Sequence, residues 1–183
     1  FRVDANTLEI GAVHTRTLFV MTYPKYLSNG WFSPIVNIDF SMDIAMFIHP
    51  MDSATLLKDL RKQSARIYSQ MKIETEGGKV RNPMLEKALE NVERLRDDLL
   101  TGTERFFRFG LYMTVYASDE AQLDDITNQI TAILESQMIY SKPAILRMDQ
   151  GYASTLPLGN DELDVANNLN TSPVSTSFPF VSS

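Results

Sequence analysis

The segment Glu104–Met148, ERFFRFGLYMTVYASDEAQLDDITNQITAILESQMIYSKPAILRM, decides the fold because it reads as strand, helix, strand. Phe107, Phe109, Leu111, Met113 and Val115 are spaced by two, so an extended chain turns all five to one face. Ser118 and Asp119 are adjacent N-cap candidates, and Gln122 stands three residues after Asp119, as a capping box requires. Leu123, Ile126, Ile130, Ile133, Leu134 and Met138 then recur at steps of three and four, giving a helix one apolar stripe to lay on a sheet. Tyr140 to Met148 returns extended. Burying the five strand side chains is worth about 8 to 15 kcal/mol, comparable with the net stability of a whole domain.

Upstream, Asp39 to His49 is the clearest second strand, with Phe40, Met42, Ile44, Met46 and Ile48 on one face and Asp39, Ser41, Asp43, Ala45, Phe47 and His49 on the other. The polar first half of that second face predicts contact with solvent. Arg16 to Tyr23 is rich in strand-favouring residues and stops at Pro24. Tyr26 to Asn37 predicts a turn at Asn29 and Gly30, then a short helix, while Phe1 to His14 has no clear period. Between the second strand and the opening segment lie two helical patterns. Asp52 or Ser53 caps the first, with Leu56, Leu57, Leu60, Ile67, Tyr68 and Met71 in line; Asn82 and Pro83 start the second, with Leu85, Leu89, Val92, Leu95 and Leu99. Gly102 stands where a left-handed C-cap residue is wanted. The order predicts an α+β domain over residues 1–150, a ferredoxin-like split βαβ antiparallel sheet with helices on one face and a helical hairpin inserted at 52–101.

From Gly151 to Ser183 the composition shifts to Ser, Thr and Asn with three of the eight prolines, which predicts a connector with a short helix from Asn160 or Asp161 through Leu169. The chain begins with Phe1 rather than Met and stops at Val181, Ser182 and Ser183 without a cap or charged tail, as a piece of a longer protein does. A net charge of -6 argues against a surface that neutralises phosphates, so direct nucleic-acid binding is not expected. The absence of cysteine excludes disulfides and thiolate metal sites and accords with a reducing compartment. No apolar run approaches the roughly 20 residues of a membrane span.

Sites of chemistry are sparse. Gly77, Gly78 and Lys79 come nearest to a phosphate-binding loop, but no strand leads in and Val80 follows the lysine, so a hairpin turn is expected. His14 and His49 lack a second histidine at helical metal spacing. Asp39, Asp43 and His49 share a strand face in a pattern open to a hard metal ion, with a solvated face as the expectation. Arg108, Phe109, Gly110, Leu111 and Tyr112 echo the aromatic strand of an RNA recognition motif without its basic surroundings or its second aromatic strand. Trp31 and Phe32, beside Pro34, are candidates either for the core or for an exposed partner anchor. No Gly-x-Ser-x-Gly elbow singles out a nucleophile. No catalytic, cofactor-binding or metal residue is expected in this chain.

The run Gly151, Tyr152, Ser154, Thr155, Leu156, Pro157, Leu158, Gly159, followed by Leu169, Asn170, Thr171 and by Phe178, Pro179, Phe180, resembles the large conjugation ATPases of type IV secretion systems. These are the TraC, TrbE and CagE class with the fourth VirB component. In that family a TLPLG segment and a later FPF segment lie just before the nucleotide-binding domain. Tyr23, Pro24, Gly30, Trp31, Met42, Asp43, Ile44, Phe107, Gly110 and Tyr112 also resemble its N-terminal domain. The resemblance implies a cytoplasmic ATPase on the inner face of the membrane that powers pilus biogenesis or transfer of DNA and protein. ATP and magnesium belong, by the same implication, to a C-terminal domain that residues 151–183 lead into. The family's phosphate-binding loop and magnesium-binding strand have no counterpart in this chain, so its catalytic residues cannot be carried over.

The expectation is therefore a non-catalytic assembly domain that docks on inner-membrane and other ATPase components and self-associates in the full-length protein. The alternative is a free-standing ferredoxin-like module binding nucleic acid or a ligand. Lys58, Arg61, Lys62, Arg66 and Lys72 make the first hairpin arm basic, and Glu86, Glu90, Glu93, Asp97 and Asp98 make the second acidic. Arg61, Lys62 and Arg66 are the candidate docking residues, unless the two arms pair with each other in solvent. Calorimetry with ATP and magnesium is expected to give no saturable binding by this chain tighter than about 100 μM, roughly 5.5 kcal/mol; tighter binding would overturn the non-catalytic reading.

Overall fold

The computed structural model describes residues 2–77 and 82–178. It divides into two compact units, one of Phe1–His49 with Phe107–Ser183 and one of Pro50–Phe106. Along the chain run β1 (Arg2–Val3), β2 (Leu8–Ile10), β3 (Val13–Thr22), α1 (Ser33–Val36), β4 (Met42–Pro50), α2 (Ser53–Glu76), α3 (Pro83–Leu100), β5 (Phe106–Ala117), α4 (Glu120–Ser136), β6 (Tyr140–Pro143), α5 (Met148–Thr155), β7 (Asn167–Asn170) and α6 (Thr171–Thr176). The class is α+β.

Among the described residues seven strands form one open antiparallel sheet, in the order β1-β2-β3-β5-β4, with β6 also on β3 and β7 on β5. Leu18 of β3 stands opposite Met113 of β5 on one side and Pro143 of β6 on the other. Every residue of β5 from Phe109 to Val115 is buried. The odd-numbered side chains Phe109, Leu111, Met113 and Val115 join Leu18 and Val20 of β3 under Leu123, Ile126, Ile130 and Leu134 of α4. That is the stripe-on-sheet packing that the periods of two and of three-and-four require. The start of α4 carries its cap as read: Asp119 Oδ1 accepts from Gln122 N (2.8 Å). The return contact reaches one residue further back, with Ser118 N donating to Gln122 Oε1 (2.9 Å).

Helices on one face alone do not account for this sheet. Its other face is covered by α5, where Leu8, Tyr112, Ala144, Met148 and Leu163 form a second core with Phe19, Phe47, Tyr152 and Val165 around it. The approach is close because Gly151 has no side chain; a Cβ there would lie 2.7 Å from Thr17 Cβ. The strand expected through Met148 ends at Pro143, and one more amide, Ala144 N, still donates to Thr17 O (2.9 Å). Ala144 to Arg147 then turn, with Leu146 at φ 62, and α5 follows. The helix expected after Asn160 is absent: Asp161 instead holds a turn, accepting from Asp164 N (2.8 Å), with Asp164 at φ 49. Residues 151–178, read as a connector, carry α5, β7 and α6.

The second unit is the hairpin. Asp52 Oδ2 accepts from Thr55 N (2.9 Å) at the head of α2, and Asn82 Oδ1 from Met84 N (3.1 Å) at the head of α3. Leu60, Val92 and Leu99 form its core with Leu56, Leu57, Ile67, Leu95 and Phe106. Gly102 takes φ 73 after the end of α3, as a left-handed residue after a C-cap does. Gly78 and Lys79, part of the glycine-lysine run, lie outside the described residues, whereas Gly77 closes α2 through its N–H to Ile73 O (2.9 Å).

Phe109 is fully buried at the centre of the first core. Phe109→Ala is expected to lower stability by about 3 to 5 kcal/mol through the cavity it leaves; a thermal melt within a degree of the parent would contradict the register.

Candidate functional site

The hairpin exposes the residues read as a docking side. Leu57, Leu60 and Ile67 turn inward to the hairpin core, which leaves Arg61, Lys62 and Arg66 exposed on the rest of α2. Ala54, Leu57, Lys58, Arg61 and Lys62 line a shallow depression there. Lys62 pairs along its own helix with Asp59 (3.3 Å), as Lys72 does with Glu76 (3.7 Å). On the acidic arm Lys87 pairs with Glu90 (2.7 Å). The arms are joined by neutral donors: Tyr68 Oη donates to Glu93 Oε1 (3.1 Å) and Asn82 Nδ2 to Glu74 Oε2 (3.2 Å). Among the described residues Arg61 and Arg66 meet no carboxylate at ion-pair distance. The basic side of α2 is thus not consumed by the acidic side of α3.

Trp31 and Phe32 are not a surface anchor. Their exposures are 2% and 1%, and they pack ring on ring at 5.1 Å inside the first core, with Tyr23 edge-on to Trp31 at 6.0 Å. Phe32 caps the four-residue α1, and burying that short helix takes both rings inward with Ile35. The RNA-like strand also turns its rings away from solvent, since Phe109 and Tyr112 are wholly buried on opposite faces of β5. A base would find no ring there to stack on. Asp39, Asp43 and His49 do not gather: Asp43 accepts from Tyr116 Oη, and His49 lies over the Phe47 ring at 6.3 Å. Among the described residues no three metal-ligating side chains cluster.

Sequence reasoning missed a polar layer between α5 and the outer face of the sheet. Tyr112 Oη donates to Asp161 Oδ1 (2.9 Å) and receives Val165 N–H (2.9 Å). Thr155 Oγ1 donates to Tyr152 O (2.9 Å), which leaves it to accept from Thr114 (2.7 Å), and Thr114 in turn from Thr17 (2.7 Å). Ser154 Oγ receives both Glu162 N (2.9 Å) and Leu163 N (3.1 Å). Arg147 Nη2 donates to the Glu162 and Leu163 carbonyls, and Arg108 pairs with Asp164 (2.8 Å). These bonds tie residues 147–165 to the sheet, and a groove lined by Asp43 to Phe47 and by Ser154 to Pro157 runs beside them. Thr155 to Gly159, the TLPLG segment, makes part of its wall. The period-two pattern of Tyr112, Thr114 and Tyr116 was the available signal, since alternate polar and aromatic side chains fit a covered face.

The chain matches no protein-family model and no curated protein sequence.

Three phenols of the sheet unit are held protonated above their ordinary range, as is Tyr68 of the hairpin through its hydrogen bond to Glu93. Burial raises Tyr23 most, with Tyr112 adding to it. Burial also dominates at Tyr112, where Asp161 adds and the Val165 N–H opposes; at Tyr116 burial is followed by the hydrogen bond to Asp43. A phenol whose pKa rises on folding contributes stability that is whole below its unfolded value, about 10, and is lost as pH climbs toward the folded one. The urea midpoint is expected to fall steadily above about pH 10, and to fall less steeply in Tyr112→Phe; equal slopes would contradict the assignment.

Proposed function

We propose that this chain is a non-catalytic assembly and docking domain of a type IV secretion ATPase, the class that powers conjugal transfer of DNA and protein or pilus biogenesis. The observation that carries the reading is the order and spacing of Gly151 to Gly159, Leu169 to Thr171 and Phe178 to Phe180, of which Pro179 and Phe180 lie outside the described residues. The strand order supports it. Taken in sequence, β3, β4, β5 and β6 lie side by side as β6-β3-β5-β4, with α1 after the first and α4 after the third. We read that order as a ferredoxin-like split βαβ with the hairpin between its halves.

In this reading ATP and magnesium belong to a nucleotide-binding domain beyond the connector-like segment, and the protein works in the cytoplasm on the inner face of the membrane. Among the described residues no helix is long and apolar enough to cross a membrane, so attachment would run through inner-membrane components and other ATPases of the machine. The hairpin is the docking arm. Its basic side, with Arg61 and Arg66 and with Lys62 paired only to Asp59 of its own helix among the described residues, is exposed to steer and select an acidic partner surface, which is what exposed complementary charge does best.

Reversing Arg61, Lys62 and Arg66 to Glu is expected to leave the melting temperature of this chain nearly unchanged, because exposed charges contribute about 0 to 1 kcal/mol each. The same change in the full-length protein should abolish assembly or transfer. Transfer that persists with the fold intact would overturn the docking role.

A further inference from the structure

Strand β4 ends the sheet: it pairs with β5, and no strand among the described residues takes its other side. Two bonds set the direction of its peptide groups. Tyr116 N donates to Ser41 O (3.3 Å) before the strand, and Met51 N to Phe106 O (2.9 Å) after it. Both fit one antiparallel register, so the odd-numbered residues between them turn N–H and C=O to β5 and the even-numbered ones turn theirs outward. Ile44, Met46 and Ile48 therefore present both groups at the open edge. Pro50 falls on the same outward side, where a missing N–H breaks no ladder bond.

Along this edge the side chains are balanced about Met46: Ala45 with Phe47, Ile44 with Ile48, and Asp43 with His49. We propose that β4 pairs antiparallel with β4 of a second copy of the chain, about a two-fold axis at Met46, so that one sheet continues across two molecules. The inference rests on the strand alone and not on the secretion reading. In this register Ile44 and Ile48 of opposite chains exchange both backbone bonds, as do the two Met46 residues. Asp43 faces His49, and Ala45 faces Phe47, at the closer non-hydrogen-bonded positions.

Charge complementarity selects a second copy over an unrelated strand. A two-fold interface needs a surface complementary to itself, and here the match of an exposed carboxylate with an exposed imidazole occurs twice, once on each side of the axis. Asp43 keeps acceptor capacity for this although it already receives the Tyr116 hydroxyl, because a carboxylate offers two oxygens. A shift of two residues in either direction would set Asp43 against Phe47 or His49 against Ala45 and leave the carboxylate and the imidazole each without a partner. The register is therefore specified by the sequence of the edge.

Sedimentation of the 183-residue chain from micromolar to millimolar concentration is expected to pass from monomer to dimer. Hydrogen exchange should slow with concentration at the amides of Ile44, Met46 and Ile48 and stay unchanged at Ala45 and Phe47. His49→Asp sets like charges opposite each other and should raise the dissociation constant about tenfold, some 1.4 kcal/mol; combining it with Asp43→His should restore pairing. Met46→Pro removes an outward N–H at the axis and should abolish the dimer while the circular dichroism spectrum stays that of the parent. If Met46→Pro fails to fold, the exchange pattern and the charge pair decide. A chain that stays monomeric at millimolar concentration overturns the proposal. So does a dimer that protects other amides, or one indifferent to His49→Asp.

Discussion

Burial of β5 on both faces is the constraint from which the rest of the first unit follows. A strand covered on one side needs one layer; a strand covered on two needs a second, and the second layer has to bring partners for every polar group it hides. α4 supplies an all-apolar cover for Phe109, Leu111, Met113 and Val115. The other face presents Tyr112 and Thr114, and their hydroxyls are satisfied by Asp161, Val165, Thr155 and Thr17. One side of the sheet is thus held by shape and the other by a directional network, in which Thr155 fixes the donor sense of the whole threonine chain.

The same division separates what could be read from what could not. The strand-helix-strand pattern, both hairpin helices and their caps at Asp52, Asn82 and Asp119 were legible, because period and capping chemistry are local properties of the chain. The cover formed by residues 147–165 was not, because Thr155, Asp161, Asp164 and Val165 find their partners on β5 41 to 56 positions away. Ser154, which receives two backbone amides, has nothing in its own neighbourhood that marks it. Trp31 and Phe32 show the complementary difficulty: an aromatic pair beside a proline has the same local appearance in a core as on an interface. Only burial distinguishes them. Arg61, Lys62 and Arg66 could be placed outward from the stripe opposite them, but their freedom from the acidic arm depended on how the two helices meet.

Arg16 joins the N-terminal strands to α4. Its guanidinium is almost fully buried, yet it donates to Asp124 Oδ1 (2.6 Å), Thr127 Oγ1 (3.3 Å) and Asn6 O (2.9 Å). The carboxylate partner lies on α4 and is largely exposed, so the charge is compensated at the rim of the core and the ion is not isolated within it. Arg16 thereby links Asn6, between β1 and β2, to α4.

The hairpin leaves the sheet and returns to it at a single rung, where Met51 N meets Phe106 O. Entry and exit therefore stand one peptide pair apart, with more than fifty residues between them counting for nothing in the strand order. Such an arm behaves as a cassette. It can be lengthened, trimmed or exchanged for a tight turn without rewiring any strand, since the entropy of closing a longer excursion grows only with the logarithm of its length. Variation in reach and surface charge can then accumulate in the arm while the sheet that carries it stays the same.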